Sequence, residues 1–380
     1  MELNPLKYLR LFLITILIGA LLTQLNPTAQ LERPGQVDLL EYWAAAKLIE
    51  NSENPYDSEK IEKIQRAEPT TGKTLDSPIL MWNPPFVAPM IKFLGNLNFE
   101  EARIWWTSMT FLALFLSIFL IMIAENFTLT WKTIVALMIF FPAVSILQFG
   151  QISWILILGL ATGLVFLNRQ NGLLAGLSLS VCLIKPHLLY LTYLSFLFSL
   201  PTERRFKFIL GFLSGGAILA ASAELIAPGI WNQWLAAFEK PPVYFKTPTI
   251  GSLMQNLIGA QHGWVVYLPA AITLLVLILF RHNSKCAAAM RDPIGITALS
   301  LATAPYGWVF DQVLLLPLVI RLTSRRDLFL PLTVIFLNIQ GFSPWMPNQD
   351  DYWWYPLVLF ALSLLKNNSN RENINKAFHR

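Results

Sequence analysis

The stretch ARIWWTSMTFLALFLSIFLIMIA, residues 102–124, holds a single charged side chain, Arg103. A helix of that length crosses about 30 Å of hydrocarbon. Its apolar residues run continuously, without the polar alternation of a membrane β-strand. Further runs of this kind lie at 9–25, 132–147, 152–168, 187–200, 206–227, 264–281, 293–308, 310–322, 328–341 and 353–365. The pattern predicts an all-α polytopic membrane protein. Composition agrees, with 55% hydrophobic and 13% charged residues in 380, where a soluble domain carries about a quarter charged. Runs 84–96 and 172–184 are too short for a straight crossing. They read as half-membrane or broken helices, which are tolerated only against protein or a cavity.

The net charge of +5 comes from basic residues scattered among short loops, which report topology and not a nucleic-acid partner. Arg204, Arg205 and Lys207 form one cluster, Arg281, Lys285 and Arg291 a second, and Arg321, Arg325 and Arg326 a third. With Lys7, Arg10, Arg169 and the tail from Lys366, they share one face if 84–96 is re-entrant. The positive-inside rule makes that face cytoplasmic, with both termini inside and about 12 transmembrane helices. The expected organisation is one membrane domain, 1–366, and a polar cytoplasmic tail, 367–380. Outward-facing stretches are expected at 26–83, 228–263 and 341–354. Leu9–Leu25 is read as a retained anchor, because TQLNPTAQLE offers a poor small-residue cleavage site. Cys182 and Cys286 lie in different settings and define no disulfide framework. No Cys/His metal site is visible, and no metal or cofactor is expected.

Polar residues in so apolar a chain mark candidate chemistry. In GQVDLLEYWAAAKLIENSENPYD, residues 35–57, Asp38 and Glu41 form a D-x-x-E capping-box pattern. The helix behind them, with Leu39, Leu40 and Trp43, is expected to lie amphipathically on the membrane plane, with Tyr42 beside the acids. Asp38 either starts that helix or does chemistry at the mouth of the first span, and the two are compatible. Asn54-Pro55 marks a turn, and the prolines of MWNPPFVAPM (81–90) break or cap a helix. QFGQISW (148–154) is a tight turn or places Gln151 in a cavity. Lys185, Pro186 and His187 interrupt an apolar run, and Lys185 on an outer face needs an anionic partner such as a lipid phosphate; the alternative is snorkelling to headgroups. Asp311 in APYGWVFDQVLLLP (304–317) binds a sugar hydroxyl, orients Asp38 or caps its helix. Asp350 and Asp351 precede Trp353, Trp354 and Tyr355, which read first as an interfacial belt.

In their order, the Asp38 loop, NPYD, NPP, GQ, AGLSLSVCLIKP and APYGWVFDQVLLLP resemble glycosyltransferase family 87, from about Asp38 to about Pro317. The resemblance implies a GT-C type fold with a long first outer loop carrying amphipathic helices. It implies an inverting transferase that moves a hexose, mannose by family, from a polyprenyl phosphate carrier to a lipid or glycan acceptor outside the cytoplasmic membrane. Asp38 is then the catalytic base, Lys185 and His187 bind the donor phosphate, and Glu41, Tyr42, Gln151 and Asp311 contact substrate. Trp231, Trp234, Tyr244 and Phe245 would shape the acceptor site. The chain departs from relatives at His187, where glutamine is common. It departs again at Phe310 and Asp311, where some relatives carry histidine. The competing expectation is a transporter or lipid flippase without chemistry; it calls for inverted repeats and paired mid-membrane charges, which the sequence does not display.

Overall fold

The computed structural model describes residues 38–68, 77–127, 129–238, 246–325, 327–342 and 349–364. The expected anchor 9–25 with Lys7 and Arg10, the tail 367–380, Tyr244, Phe245 and Arg326 lie outside the described residues. Among the described residues every regular element is helical.

The first loop contributes α1 (Leu39–Glu50) and α2 (Ser58–Ala67), followed by a chain of short helical turns over 85–96. The long span α3 (Phe99–Glu125) starts where Asn98 accepts from the Glu101 amide at 2.9 Å while Glu101 accepts from the Asn98 amide at 3.0 Å. This reciprocal cap satisfies two otherwise unpaired helix-start donors. Next come α4 (Trp131–Met138) and α5 (Phe141–Phe149), one apolar stretch interrupted before Pro142, which cannot donate within a helix. The chain continues through α6 (Ser153–Asn168), α7 (Gly172–Ser180), α8 (Tyr190–Ser199), α9 (Thr202–Ile226), α10 (Ile230–Ala237) and α11 (Ile250–Ile258). It ends with α12 (Leu268–Leu279), α13 (Ser284–Met290), α14 (Pro293–Thr303), α15 (Leu316–Thr323), α16 (Phe329–Gln340) and α17 (Tyr355–Leu364). Three stretches, Phe99–Glu125, Trp131–Phe149 and Thr202–Ile226, are long and apolar enough to cross a membrane. Their outer faces carry exposed Leu112 and Leu213, as expected of helices facing lipid.

Close packing inside the bundle relies on small residues, since lipid gives helices no hydrophobic reason to associate. A Cβ on Gly176 of α7 would stand 2.2 Å from the Phe208 carbonyl oxygen of α9, and one on Gly211 of α9 would stand 2.1 Å from that of Leu173. Gly176→Leu is therefore expected to cost roughly 1–3 kcal/mol through forced separation of the two helices. Gly263→Ala, whose Cβ meets nothing within 4 Å, should cost nothing measurable. Thermal unfolding in detergent checks both; equal midpoints for the two variants would refute the packing argument.

The two ends of the bundle differ in chemistry. Helices α8 and α14 run antiparallel, with Tyr190 hydroxyl to Thr303 Oγ1 at 2.6 Å, Thr192 to Thr297 at 2.9 Å, and Ser199 Oγ donating to the Arg291 carbonyl at 3.0 Å. At the Ser199 end, Arg321 binds Asp292 at 2.7 Å and Glu125 at 2.9 Å, which ties α3, α14 and α15 together. Lys132 donates to the carbonyls of Arg325 and Asp327 there. The Thr303 end leads into the loop bearing Tyr306, Trp308 and Asp311.

Two expectations for the first loop are corrected. Helix α1 does not lie on a surface: ten of its twelve residues are buried, Glu41 and Tyr42 included. The D-x-x-E capping box does not form either. Asp38 already has helical dihedrals (φ −84°, ψ −21°) and makes no side-chain cap; its carboxylate is engaged across the bundle instead. Tyr355 and Tyr352 are also buried, at 1% and 2% exposure, not at an interface. The Tyr355 hydroxyl donates to Asn338.

Candidate active site

The site is assembled from helix breaks. Helix α5 ends at Gly150, whose left-handed dihedrals (φ 72°, ψ 32°) turn the chain and free its carbonyl to accept from the Trp106 indole at 2.7 Å. The preceding carbonyl, of Phe149, accepts from the Asp38 amide at 2.8 Å, which docks the start of α1 onto this turn. Gln151 follows at once and points into the gap. Helix α7 tightens into a 3-10 turn over Val181–Ile184 and stops at Lys185 (φ −139°, ψ 69°), outside the helical region that a following proline disfavours. Asp311 sits in the 3-10 turn Val309–Leu315 that precedes α15.

These breaks converge on one cavity of about 360 Å³, lined among others by Asp38, Glu41, Tyr42, Gln151, Lys185, His187 and Asp311. The seven residues expected to act on the donor, the acceptor proton or the substrate are thus brought together. Gln151 is the junction. Its Nε2 donates to Asp38 Oδ2 at 2.7 Å, and its Oε1 accepts from the Tyr42 hydroxyl at 3.1 Å and from Lys185 Nζ at 3.3 Å. Lys185 Nζ also donates to Asp311 Oδ1 at 2.7 Å, in an ion pair whose side chains are 11% and 2% exposed, and lies 5.0 Å above the Phe310 ring. Asp311 accepts from Ser153 Oγ on the same oxygen and from the Trp308 amide, at 2.9 Å, on the other. So the lysine is fixed in position by an aspartate that is itself held by two further donors. Tyr42 stacks on Trp106 at 5.6 Å, which holds the phenol end of the network.

Glu41 lies outside the spanning helices. Burial, reinforced by the charge of neighbouring Asp38, pushes its carboxyl up to about 8. At neutral pH it is protonated and able to donate a hydrogen bond. His187 stacks on Tyr306 with centroids 3.9 Å apart, and its buried Nε2 has no hydrogen-bond partner among the described residues.

The short motifs around the cavity resolve into scaffolding. In NPYD, the Asn54 side chain accepts from the Tyr56 amide at 2.9 Å, and Asp57 caps α2 through the amides of Glu59 and Lys60. The Tyr56 hydroxyl donates to the Asn83 carbonyl at 2.8 Å, so NPYD braces NPP. Gln65 of α2 pairs with both backbone groups of Ile79, at 2.7 and 3.0 Å, and so fixes the cavity wall at 77–84. Trp231 and Trp234 of α10 do not line the cavity. They contact residues beside and within that wall, Trp231 edge-on to Phe86 at 5.1 Å and Trp234 bonded to the Trp82 carbonyl. Sequence reasoning missed Ser153, Tyr306 and Trp82. Ser153 is separated from Asp311 by 158 positions, and no sequence signal links them. Among the described residues no group of three or more His, Cys, Asp or Glu side chains is arranged to hold a metal.

Among the described residues, broken helices of an all-helical chain enclose a carboxylate, a buried lysine and a bridging amide in one cavity. The chain belongs to glycosyltransferase family 87, whose family model matches residues 82–299, more than half of its length. The match contains Gln151, Lys185 and His187, while Asp38 precedes it and Asp311 follows it. No curated protein and no solved structure matches the chain.

Proposed function

We propose that this membrane glycosyltransferase moves a hexose, mannose by family, from a polyprenyl phosphate to a hydroxyl of a lipid or glycan acceptor, on the face of the cytoplasmic membrane away from its arginine-rich loops. The observation that carries the reading is the single amide, Gln151, that joins Asp38 to Lys185 within one cavity. This supports reading Asp38 as the acid–base group and Lys185 as the phosphate-binding cation of one reaction.

In this reading the acceptor hydroxyl attacks the anomeric carbon as its bond to the carrier phosphate breaks. Asp38 takes the hydroxyl proton during attack, which requires hydrogen-bond reach and not a covalent intermediate. One displacement with one base inverts the anomeric centre. The electron pair leaves with the phosphate, whose developing charge Lys185 stabilises from a prearranged position. His187 Nε2 supplies a further contact to the donor. Asp311 acts through Lys185 and not on sugar, because its oxygens are already occupied by Ser153, Lys185 and the Trp308 amide. Gln151 likewise positions both reacting groups. Glu41 in its protonated form donates to a substrate oxygen.

The state of Glu41 gives a pH prediction. Because the folded chain holds this proton more tightly than the unfolded chain does, the contribution of Glu41 to stability is fully present below the ordinary carboxylate pKa of 4.5 and is lost as pH rises toward about 8. Above that pH a second negative charge sits beside Asp38, and transfer activity is expected to decline. Glu41→Gln should remove this alkaline decline while retaining activity near neutral pH. An unchanged alkaline limb in the variant would exclude Glu41 as its origin.

The reaction itself is tested by mass spectrometry of lipid-linked glycans from cells with and without the gene. The reading requires one glycan species to shorten by a hexose when the gene is lost. An unchanged glycan profile would overturn it.

A further inference from the structure

A second cleft lies at the arginine-rich end of the bundle, away from the candidate active site. It has a volume of about 240 Å³ and opens between α8, α12 and α14, with walls that include Leu191, Phe198, Leu274 and Leu277. Leu191, Leu277 and Ile296 form a small apolar cluster of their own, separate from the main core. Helix α12 is peripheral, with Leu275, Ile278 and Leu279 all more than half exposed. The cleft therefore faces the hydrocarbon phase.

Two polar residues are among the lining of this cleft, whose accessible surface is almost wholly apolar. Arg281, at the end of α12, is exposed at its rim and spends one guanidinium N–H on the Ile278 carbonyl of its own helix, at 3.1 Å. Ser195 of α8 is 1% exposed, and its Oγ has no hydrogen-bond partner among the described residues. That is unusual, because a serine within a helix ordinarily bonds back to a carbonyl one turn earlier, and a buried hydroxyl left unpaired is costly. More positive charge surrounds the rim. The Arg205 guanidinium lies 5.9 Å from the Phe198 ring, Arg291 follows the lining residue Met290, and no acidic side chain lines the cleft. The nearby Asp292 is already bound by Arg321.

We infer that this cleft binds an anionic phospholipid. One acyl chain lies between α8 and α12, the phosphate rests on Arg281, and an ester oxygen accepts from Ser195 Oγ one helical turn deeper. The apolar walls explain the chain, the rim charge selects the headgroup, and the unpaired hydroxyl accounts for the polar junction between them. The inference does not depend on the transfer reaction, since the cleft shares no residue with the cavity around Asp38.

Native mass spectrometry of the full-length protein in detergent, titrated with phosphatidylglycerol or phosphatidylcholine, tests it. The wild-type protein should retain the anionic lipid roughly fivefold more strongly than the zwitterionic one. Arg281→Gln, an exposed change that leaves the core untouched, should erase that preference. Ser195→Phe, which fills the cleft, should reduce retention of both lipids. Lys63→Gln removes a charge in the first loop and serves as control; it should retain the preference. Equal retention of the two lipids by the wild type would overturn the proposal. So would the same loss in the Lys63 and Arg281 variants, which would mark general charge attraction only.

Discussion

Asp38→Asn is expected to slow sugar transfer by about 10²–10⁴-fold, the range for loss of a positioned general base, with donor binding nearly unchanged. The substitution is close to isosteric. An asparagine oxygen can still accept from Gln151 Nε2, so the amide that also meets Lys185 and Tyr42 keeps its place. What disappears is the capacity to take the acceptor proton. Initial rates with a radiolabelled polyprenyl-phosphate sugar, together with donor affinity measured separately, distinguish this from a structural lesion. Loss of both rate and affinity would show that Asp38 holds the site together and does not act as its base.

The second large effect concerns the buried ion pair. Lys185→Met is expected to abolish detectable transfer and also to destabilise the protein by about 3–5 kcal/mol, because Asp311 would be left as an uncompensated charge in the core. Its side chain is 2% exposed. Asp311→Asn in the same chain removes that charge, so the double variant should recover most of the lost stability. It should not recover activity, since no cation remains for the leaving phosphate. Thermal unfolding and transfer assays on the two single variants and the double variant therefore separate the structural from the catalytic part of Lys185. A double variant as unstable as Lys185→Met would show that the pair contributes through packing and not charge. A double variant that still transfers sugar would remove Lys185 from the mechanism.

Much of this arrangement could be read from residue types alone, for a physical reason. Charges in an apolar chain are expensive to bury, so Asp38, Lys185 and Asp311 stand out without any structure. The helix breaks were equally legible: Gly150 and Pro186 are the residues that a left-handed turn and an interrupted helix require. The partners were not. Local patterns carry no information about contacts 113 or 126 positions apart, such as Asp38 with Gln151 and Lys185 with Asp311. For the same reason Asp38 and Glu41 looked like a capping box. A D-x-x-E pattern reports what two acids can do for a helix in isolation, and here a distant glutamine amide takes the first of them. Polar residues on α1 also suggested a surface helix, whereas Glu41 and Tyr42 are buried and line the cavity. Trp231 and Trp234, expected near the acceptor, do not line this cavity; they contact Phe86 and the Trp82 carbonyl beside it.

The most direct measurement is a reconstituted reaction. Purified protein is incubated with a polyprenyl phosphate carrying a radiolabelled hexose and with an extract of lipid and glycan acceptors. The products are then resolved and their anomeric configuration determined. Transfer of label to an acceptor hydroxyl, with release of polyprenyl phosphate and inversion at the anomeric carbon, is the result expected of a single displacement assisted by Asp38. Label that crosses the bilayer still attached to its carrier would contradict the account and identify a transporter. Retained configuration would contradict the single-base mechanism.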